Sequence, residues 1–508
     1  MSKRLLLCLL LFTVPALAQR PAPQATAPPA PQVAAPTAPL VDEPPIVTKH
    51  ELKLADKTLK YTVTAGKLPI KNQVSGETEA QLFFIAYTLD EVADPAKRPL
   101  MFSFNGGPGS ASVWLHLGAL GPKRVKMQDD GMMPAPPYEL VPNEHTWLDA
   151  TDLVFIDPVG TGYSRAARLD LAPKFLSLQG DLDSVGEFIR LYLSRNERWT
   201  SPLYLVGESY GTTRASGLAG YLVDRGIAFN GILLISTIMN FQTALFADGN
   251  DLPFQLMLPS YTSTAWYHKK LPADLQRKPL REVLNEAERW ATNDYSVALA
   301  KGDKLAGAER QKIVDQMARL TGLSKTFIEN NHLRVDLGKF SKELLREQHR
   351  TTGRLDSRFT GIDARPAGDT PDFDPSMTAI RPPYTAAFNQ YVRAELGYKN
   401  DANYYILGGG FTAPWNMNAE NTYADTSSAL RSAFNKNPFM KVFVAFGYYD
   451  MATPYFAAEY TLDHMNLDPS LKANLKHAYY EAGHMMYIDV KSLAALKKDV
   501  TAFLQAAR

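Results

Sequence analysis

Nine residues, Leu203-Tyr204-Leu205-Val206-Gly207-Glu208-Ser209-Tyr210-Gly211, constrain this chain more than any other stretch. The first four are apolar and read as a short buried strand; Leu218 and Leu222, after Gly211, have helical spacing. Between strand and helix stands Gly-x-Ser-x-Gly. A strand that turns at once into a helix leaves no room for side chains beside the turn. The flanking positions are therefore glycine, and the serine is held strained. Its hydroxyl is then displayed at the carboxyl edge of a sheet, where open α/β sheets place their ligands. A five-residue pattern recurs by chance, so its weight depends on its surroundings.

The surroundings repeat the arrangement. Residues 49–89 alternate in the manner of antiparallel strands, with Leu59 to Thr64 and Gln81 to Thr88 the clearest. Leu100 to Phe104 is a buried strand ending in Asn105-Gly-Gly-Pro-Gly-Ser110, and Asp152 to Ile156 another, ending in Asp157-Pro-Val-Gly-Thr-Gly-Tyr-Ser164. Val185, Phe188, Ile189 and Tyr192 mark a helix, and Gly231 to Ile235 a further strand. Buried strands alternating with helices predict an α/β fold: a mostly parallel central sheet with helices on both faces. The alternation stops after Asn240. Two amphipathic stripes follow, Leu280/Val283/Leu284/Ala287/Trp290 and Ile313/Val314/Met317/Leu320, and Pro366 to Pro383 reads as loop. Sheet pattern returns at Val442 to Phe446 and Ala478 to Tyr480, before a terminal helix from Val490 to Leu504. The expected organisation is a core of residues 46–240 and 406–508 with a largely helical cap insertion, 241–405, over the serine.

The N-terminus reads as export machinery. Lys3 and Arg4, an apolar run from Leu5 to Val14 and Ala16-Leu-Ala18 make residues 1–18 a signal peptide, too short for a membrane span. The single cysteine, Cys8, lies inside it, so no disulfide is expected in the mature chain. Residues 19–45, rich in Pro and Ala, bury too little to order themselves and are expected to be a disordered tether. A periplasmic or secreted location follows, in the style of a Gram-negative bacterium. With 54 basic against 53 acidic residues, nothing points to nucleic acid or an anionic membrane as partner. No His-Glu-x-x-His or comparable metal signature occurs in the sequence, and no cofactor is expected.

A serine displayed this way is a weak nucleophile without a base, and the base needs an acid to hold its tautomer. In α/β-hydrolases the three follow in the order Ser, acid, His, each at a strand end. Ser209, Asp450 and His484 satisfy that order. His464 falls in a helix and His477 enters a strand, so neither fits the loop position as well; Asp463 and Asp489 are the rival acids.

Five motifs then resemble one family, the serine carboxypeptidases: Asn105-Gly-Gly-Pro-Gly, Pro158-Val-Gly-Thr-Gly-Tyr-Ser164, Gly207-Glu-Ser-Tyr-Gly211, Gly447-Tyr-Tyr-Asp450 and Gly483-His-Met485, with Asn143 to Trp147 as a sixth point of likeness. The resemblance covers about residues 95–240 and 440–490 and not the cap. It implies an oxyanion hole from the backbone N–H groups of Gly107 and Tyr210. It implies that Asn105 and Glu208, helped by the Gly106 N–H, bind the terminal carboxylate of a peptide substrate. Three departures stand out. Ser110 replaces a frequent Cys, Ala119 replaces a glutamate that supports the carboxylate site, and Tyr487 replaces a Pro after His-Met. The implied activity is serine carboxypeptidase action on peptides with a free C-terminus. An esterase or acyltransferase on the same triad is the alternative, and a silent binding protein on the same fold a third reading. The sequence leaves the oligomeric state open.

Overall fold

Strands β1 (Ile46–Lys53), β2 (Thr58–Lys71) and β3 (Thr78–Leu89) form an antiparallel meander at one edge of a ten-stranded sheet. The computed structural model describes residues 43–507; the expected signal peptide and residues 19–42 of the expected tether lie outside them. Strands β4 (Leu100–Phe104), β5 (Asp152–Ile156), β6 (Leu203–Ser209), β7 (Gly231–Thr237), β8 (Lys441–Gly447) and β9 (Leu475–Tyr480) complete the main path, ordered β1-β2-β3-β5-β4-β6-β7-β8-β9. The pair Arg165–Ala166 adds to β3. From β5 to β9 every neighbouring pair is parallel. This is the mostly parallel sheet of an α/β-hydrolase.

Alternate residues of the central strands enter opposite apolar layers, as a period of two requires. Leu205, Ile232, Leu234 and Val444 pack on one face with Val185, Phe188 and Ile189 of helix α1 (Leu178–Arg195) and Leu218 of α2 (Tyr210–Val223). Val206, Leu233, Ile235 and Ala445 pack on the other. There they meet Leu496, Val500 and Phe503 of the terminal helix, Val490–Ala506. Each fully buried side chain of this size contributes about 1.5–3 kcal/mol over exposure.

The chain adds β5 on one side of β4 and then β6 on the other. That reversal opens a crevice at the carboxyl ends of β4 and β6, the position where doubly wound sheets bind ligands. Both ends carry a singled-out motif, Asn105 to Gly109 and Glu208 to Gly211.

Beyond β7, helices α3 (Leu252–Tyr267), α4 (Leu280–Trp290) and α5 (Gly307–Thr321) enclose an apolar cluster of their own, including Tyr261, Val283, Ala287, Val314, Met317 and Leu320. Leu280 and Leu284 of α4 turn instead to the layer beneath the sheet, so the stripe read from sequence serves two cores. The loop expected over Pro366 to Pro383 is corrected from residue 375 onward: Pro375–Ala394 is helix α6. Pro375 takes the first helical turn, where its missing N–H costs nothing, and Asp374 caps it by accepting from the Ser376 N–H. Pro382 and Pro383 lie inside. Burial of Ile380, Tyr384, Phe388, Tyr391 and Val392 in the layer of Trp114 and Leu117 outweighs their helix-breaking tendency.

Candidate active site

Ser209 ends β6 at φ 59° and ψ −131°, a left-handed conformation that only the surrounding turn enforces. The glycines make the turn possible: a Cβ on Gly207 would lie 2.1 Å from the Gly211 carbonyl oxygen. Helix α2 starts at Tyr210, so its first N–H groups have no partner within the helix and point, with the positive end of the dipole, toward the crevice. The Asn105 to Gly109 loop packs on this same point. A Cβ on Gly106 would stand 2.4 Å from the Tyr210 nitrogen.

Asp450 and His484 sit in the loops after β8 and β9. His484 Nδ1 donates to Asp450 Oδ2 at 2.7 Å, and the carboxylate is completely buried. Its other bonds come from the backbone N–H groups of Ala452 and Thr453, 2.8 and 3.0 Å from Oδ1, and from the Thr453 hydroxyl, 2.7 Å from Oδ2. His484 is fixed by its backbone as well: its N–H donates to the Leu355 carbonyl at 2.6 Å, and its carbonyl accepts from the Ser236 hydroxyl at 2.6 Å. Burial opposes charge on the imidazole, but the Asp450 charge and hydrogen bond, with Glu208 nearby, leave its pKa above the ordinary histidine value.

The carboxamide of Asn105 is orientated without ambiguity. Oδ1 accepts from the Leu115 N–H at 3.1 Å, and Nδ2 donates to Glu208 Oε1 at 3.0 Å. The same carboxamide also hydrogen-bonds the Tyr487 hydroxyl. Glu208 Oε2 accepts from the Tyr487 hydroxyl. Burial pushes the Glu208 carboxyl up to about 7, against the lowering effects of His484, Tyr487 and Asn105.

Asn105, Gly106, Gly107, Glu208, Ser209 and His484 line one cavity of about 190 Å³. Asp450 lies behind His484, outside the lining. Tyr210 borders the site with its backbone; its ring turns away, donating to Asp181 Oδ2 at 3.3 Å and standing edge-on to Trp415. A larger depression of about 610 Å³, around Ile70, Lys174, Arg190 and Tyr221, contains none of these residues. Among the described residues no cluster of three or more His, Cys, Asp or Glu could hold a metal ion.

A family model described as serine carboxypeptidase matches residues 57–498. The chain belongs to the serine carboxypeptidase family. The match runs through residues 241–405, where the resemblance read from motifs had stopped. Pheromone-processing carboxypeptidase KEX1 of Saccharomyces cerevisiae is 32% identical over 159 residues, 29% of this chain and 20% of that protein. Serine carboxypeptidase-like 17 of Arabidopsis thaliana is 30% identical over 154 residues, 28% of this chain and 33% of that one. The chain thus matches a fifth to a third of the length of these relatives. The solved structure of the prohormone-processing carboxypeptidase KEX1(delta)p from Saccharomyces cerevisiae superposes with a TM-score of 0.51 at 16% identity, over 87% of this chain and 91% of that one, and shares the fold.

Several residues of the candidate site carried no sequence signal. Arg354, Leu355, Met377 and Ile380, from the chain between β7 and β8, and Trp114 and Leu407 complete the cavity wall together with Met485 of the Gly483-His-Met motif. Thr453 is one of many threonines until the fold brings it to Asp450. Ser110, the residue in place of a frequent Cys, accepts from Trp114 Nε1 at 2.7 Å and pairs by its backbone with Leu407, so hydrogen bonds tie that segment down. Tyr487 was noticed only as a missing Pro; its hydroxyl reaches Glu208.

Proposed function

We propose that the chain is a serine carboxypeptidase that releases C-terminal residues from peptides through an acyl-enzyme on Ser209. The observation that carries the reading is the Asn105–Glu208 pair in the same small cavity as Ser209 and the Asp450-supported His484. Ser209 Oγ attacks the last peptide carbonyl while His484 takes its proton, and Asp450 stabilises the resulting imidazolium. Backbone N–H groups of Gly107 and Tyr210 hold the oxyanion. The protonated imidazole then gives its proton to the departing amino acid, and water repeats the sequence to free the enzyme.

The exopeptidase character rests on the terminal carboxylate. Asn105 offers its Nδ2 group, the Gly106 N–H a second donor, and Glu208 a third when protonated. About 190 Å³ is below the roughly 300–1,000 Å³ of sites for drug-sized ligands and suits a single residue; the walls of Trp114, Leu355, Met377 and Ile380 favour an apolar one. In this reading residues 241–405 act as the cap that completes the pocket. Peptides with free C-termini are the substrates, in keeping with relatives named for pheromone and prohormone processing. A periplasmic or secreted location is proposed from residues 1–18.

The test is a matched peptide pair, one with a free C-terminus and one amidated. Losing charge-assisted hydrogen bonds costs about 1.5–3 kcal/mol, so the amide is expected to lose about ten- to a hundredfold in kcat/KM. Asn105→Ala reproduces the loss with the free peptide and spares a small activated ester. Equal rates for the two peptides would remove the exopeptidase reading and leave an esterase or acyltransferase on the same triad.

A further inference from the structure

Tyr487 lies in the short turn Met486–Ile488, three residues past His484, and is buried. Its hydroxyl donates to Glu208 Oε2, while Asn105 occupies Oε1. The ring lies against the backbone at Gly118, where a Cβ would stand 2.4 Å from Tyr487 Cε2. It therefore fills space at Gly118, the neighbour in sequence of Ala119, where the family resemblance implies a glutamate. One hydrogen-bond donor has been exchanged for another of different chemistry. A carboxyl group donates only while protonated, whereas a phenol keeps its proton to about pH 10, and burial extends that range here.

The groups around Glu208 are few. Asn105 and Tyr487 hydrogen-bond it; His484, when charged, favours its ionised form, and Asp450 behind the histidine opposes it. Tyr384 of α6, a buried phenol without a hydrogen-bond partner among the described residues, and Arg354, which lines the same cavity, are the further titratable groups that face the site.

We propose that Tyr487 is the positioning residue of the carboxylate site: its permanent O–H donor anchors Glu208, favours its ionised form, and thereby sets the pH above which the site stops accepting a peptide terminus. The proposal rests on the carboxylate-binding reading of Asn105 and Glu208. The bound terminus and Glu208 are both carboxyl groups, and only protonated Glu208 can donate to an ionised terminus. The Tyr487 bond is stronger to the carboxylate than to the acid, so it opposes protonation and counteracts the effect of burial. Removing the hydroxyl raises the pKa of Glu208 and extends peptide binding to higher pH.

The experiment is steady-state kinetics from pH 5 to 9 on the wild type, Tyr487→Phe, Glu208→Gln and the double variant. The substrates are a peptide with a free C-terminus, its amide and a small activated ester. In the wild type, peptide KM is expected to turn upward as Glu208 ionises. Tyr487→Phe keeps the ring and moves that turn upward by about one pH unit, a tenfold change in proton affinity. Glu208→Gln flattens the profile, and adding Tyr487→Phe leaves it flat. The ester's KM shows no corresponding shift. A Phe variant whose peptide KM turns up at the wild-type pH or below overturns the proposal. So does a rise in KM by one factor at every pH, with equal loss on the ester, which marks a structural role. If the wild type does not distinguish peptide from amide, the carboxylate reading fails first and takes this one with it.

Discussion

A single hydrogen bond of 2.7 Å joins His484 to an acid that three further donors hold in its buried place. Such an acid fixes the tautomer that leaves the other ring nitrogen free to take a proton. Ser209→Ala and His484→Ala are therefore each expected to lower kcat by about 10⁵–10⁶, with the double variant little worse, because the residues act as a unit. Asp450→Asn is expected to lose about 10⁴. Ester turnover by purified variants, with circular dichroism to confirm folding, checks this; near-normal turnover in either alanine variant rejects the assignment. The placement of these three residues at strand ends around one crevice was legible because their order forms a long-range pattern of residue types. Thr453, Leu355 and Tyr487 were not, because a threonine hydroxyl, a carbonyl and a phenol acquire their roles only through contacts that no local spacing encodes.

Among the elements, the short segment from Arg354 to Arg358 has the most consequence for the site. Arg354 and Leu355 line the cavity, and the Leu355 carbonyl accepts from the His484 N–H. Asp356 Oδ2 accepts from the Gly483 N–H at 3.1 Å and pairs with Arg358 at 2.7 Å, and Arg358 also reaches Asp489 at 3.3 Å. This segment thus holds two successive N–H groups of the loop that carries His484. Asp356→Ala removes an acceptor and leaves buried Arg358 with Asp489, at 3.3 Å, as its one acidic partner beside the Glu481 and Asp130 carbonyls. The expected cost is about 3 kcal/mol, the lower end for breaking a buried pair because Asp489 remains. Urea unfolding measures that cost, and kcat on the ester is expected to fall with it as the base loop loosens. Asp356→Asn keeps the acceptor for Gly483 and retains more of kcat for a similar loss of stability. Full activity in Asp356→Ala would show that the loop needs no such support. The parallel strands and α1 were readable from apolar runs and helical spacing. Helix α6 was not, because three prolines, Pro375, Pro382 and Pro383, argue locally for loop while the packing that decides the matter is distant in sequence.

For the whole molecule, the sheet reversal at β4, the elbow at the end of β6 and the insertion after β7 converge on one crevice. Core and site follow the chain order of a family that the match over residues 57–498 establishes. Among the described residues no helix is long and apolar enough to cross a membrane. The wall of the pocket comes partly from the insertion, whose stripes announced helices without announcing what they would face. The central claim is serine-dependent removal of residues from the C-terminus. Mass spectrometry of a peptide mixture with free C-termini, incubated with wild type and Ser209→Ala, tests it most directly. Ladders shortened one residue at a time from the C-terminus, with intact N-termini and none from Ser209→Ala, are the expected result; internal cuts, N-terminal losses, no shortening by the wild type or the same ladder from Ser209→Ala would contradict it.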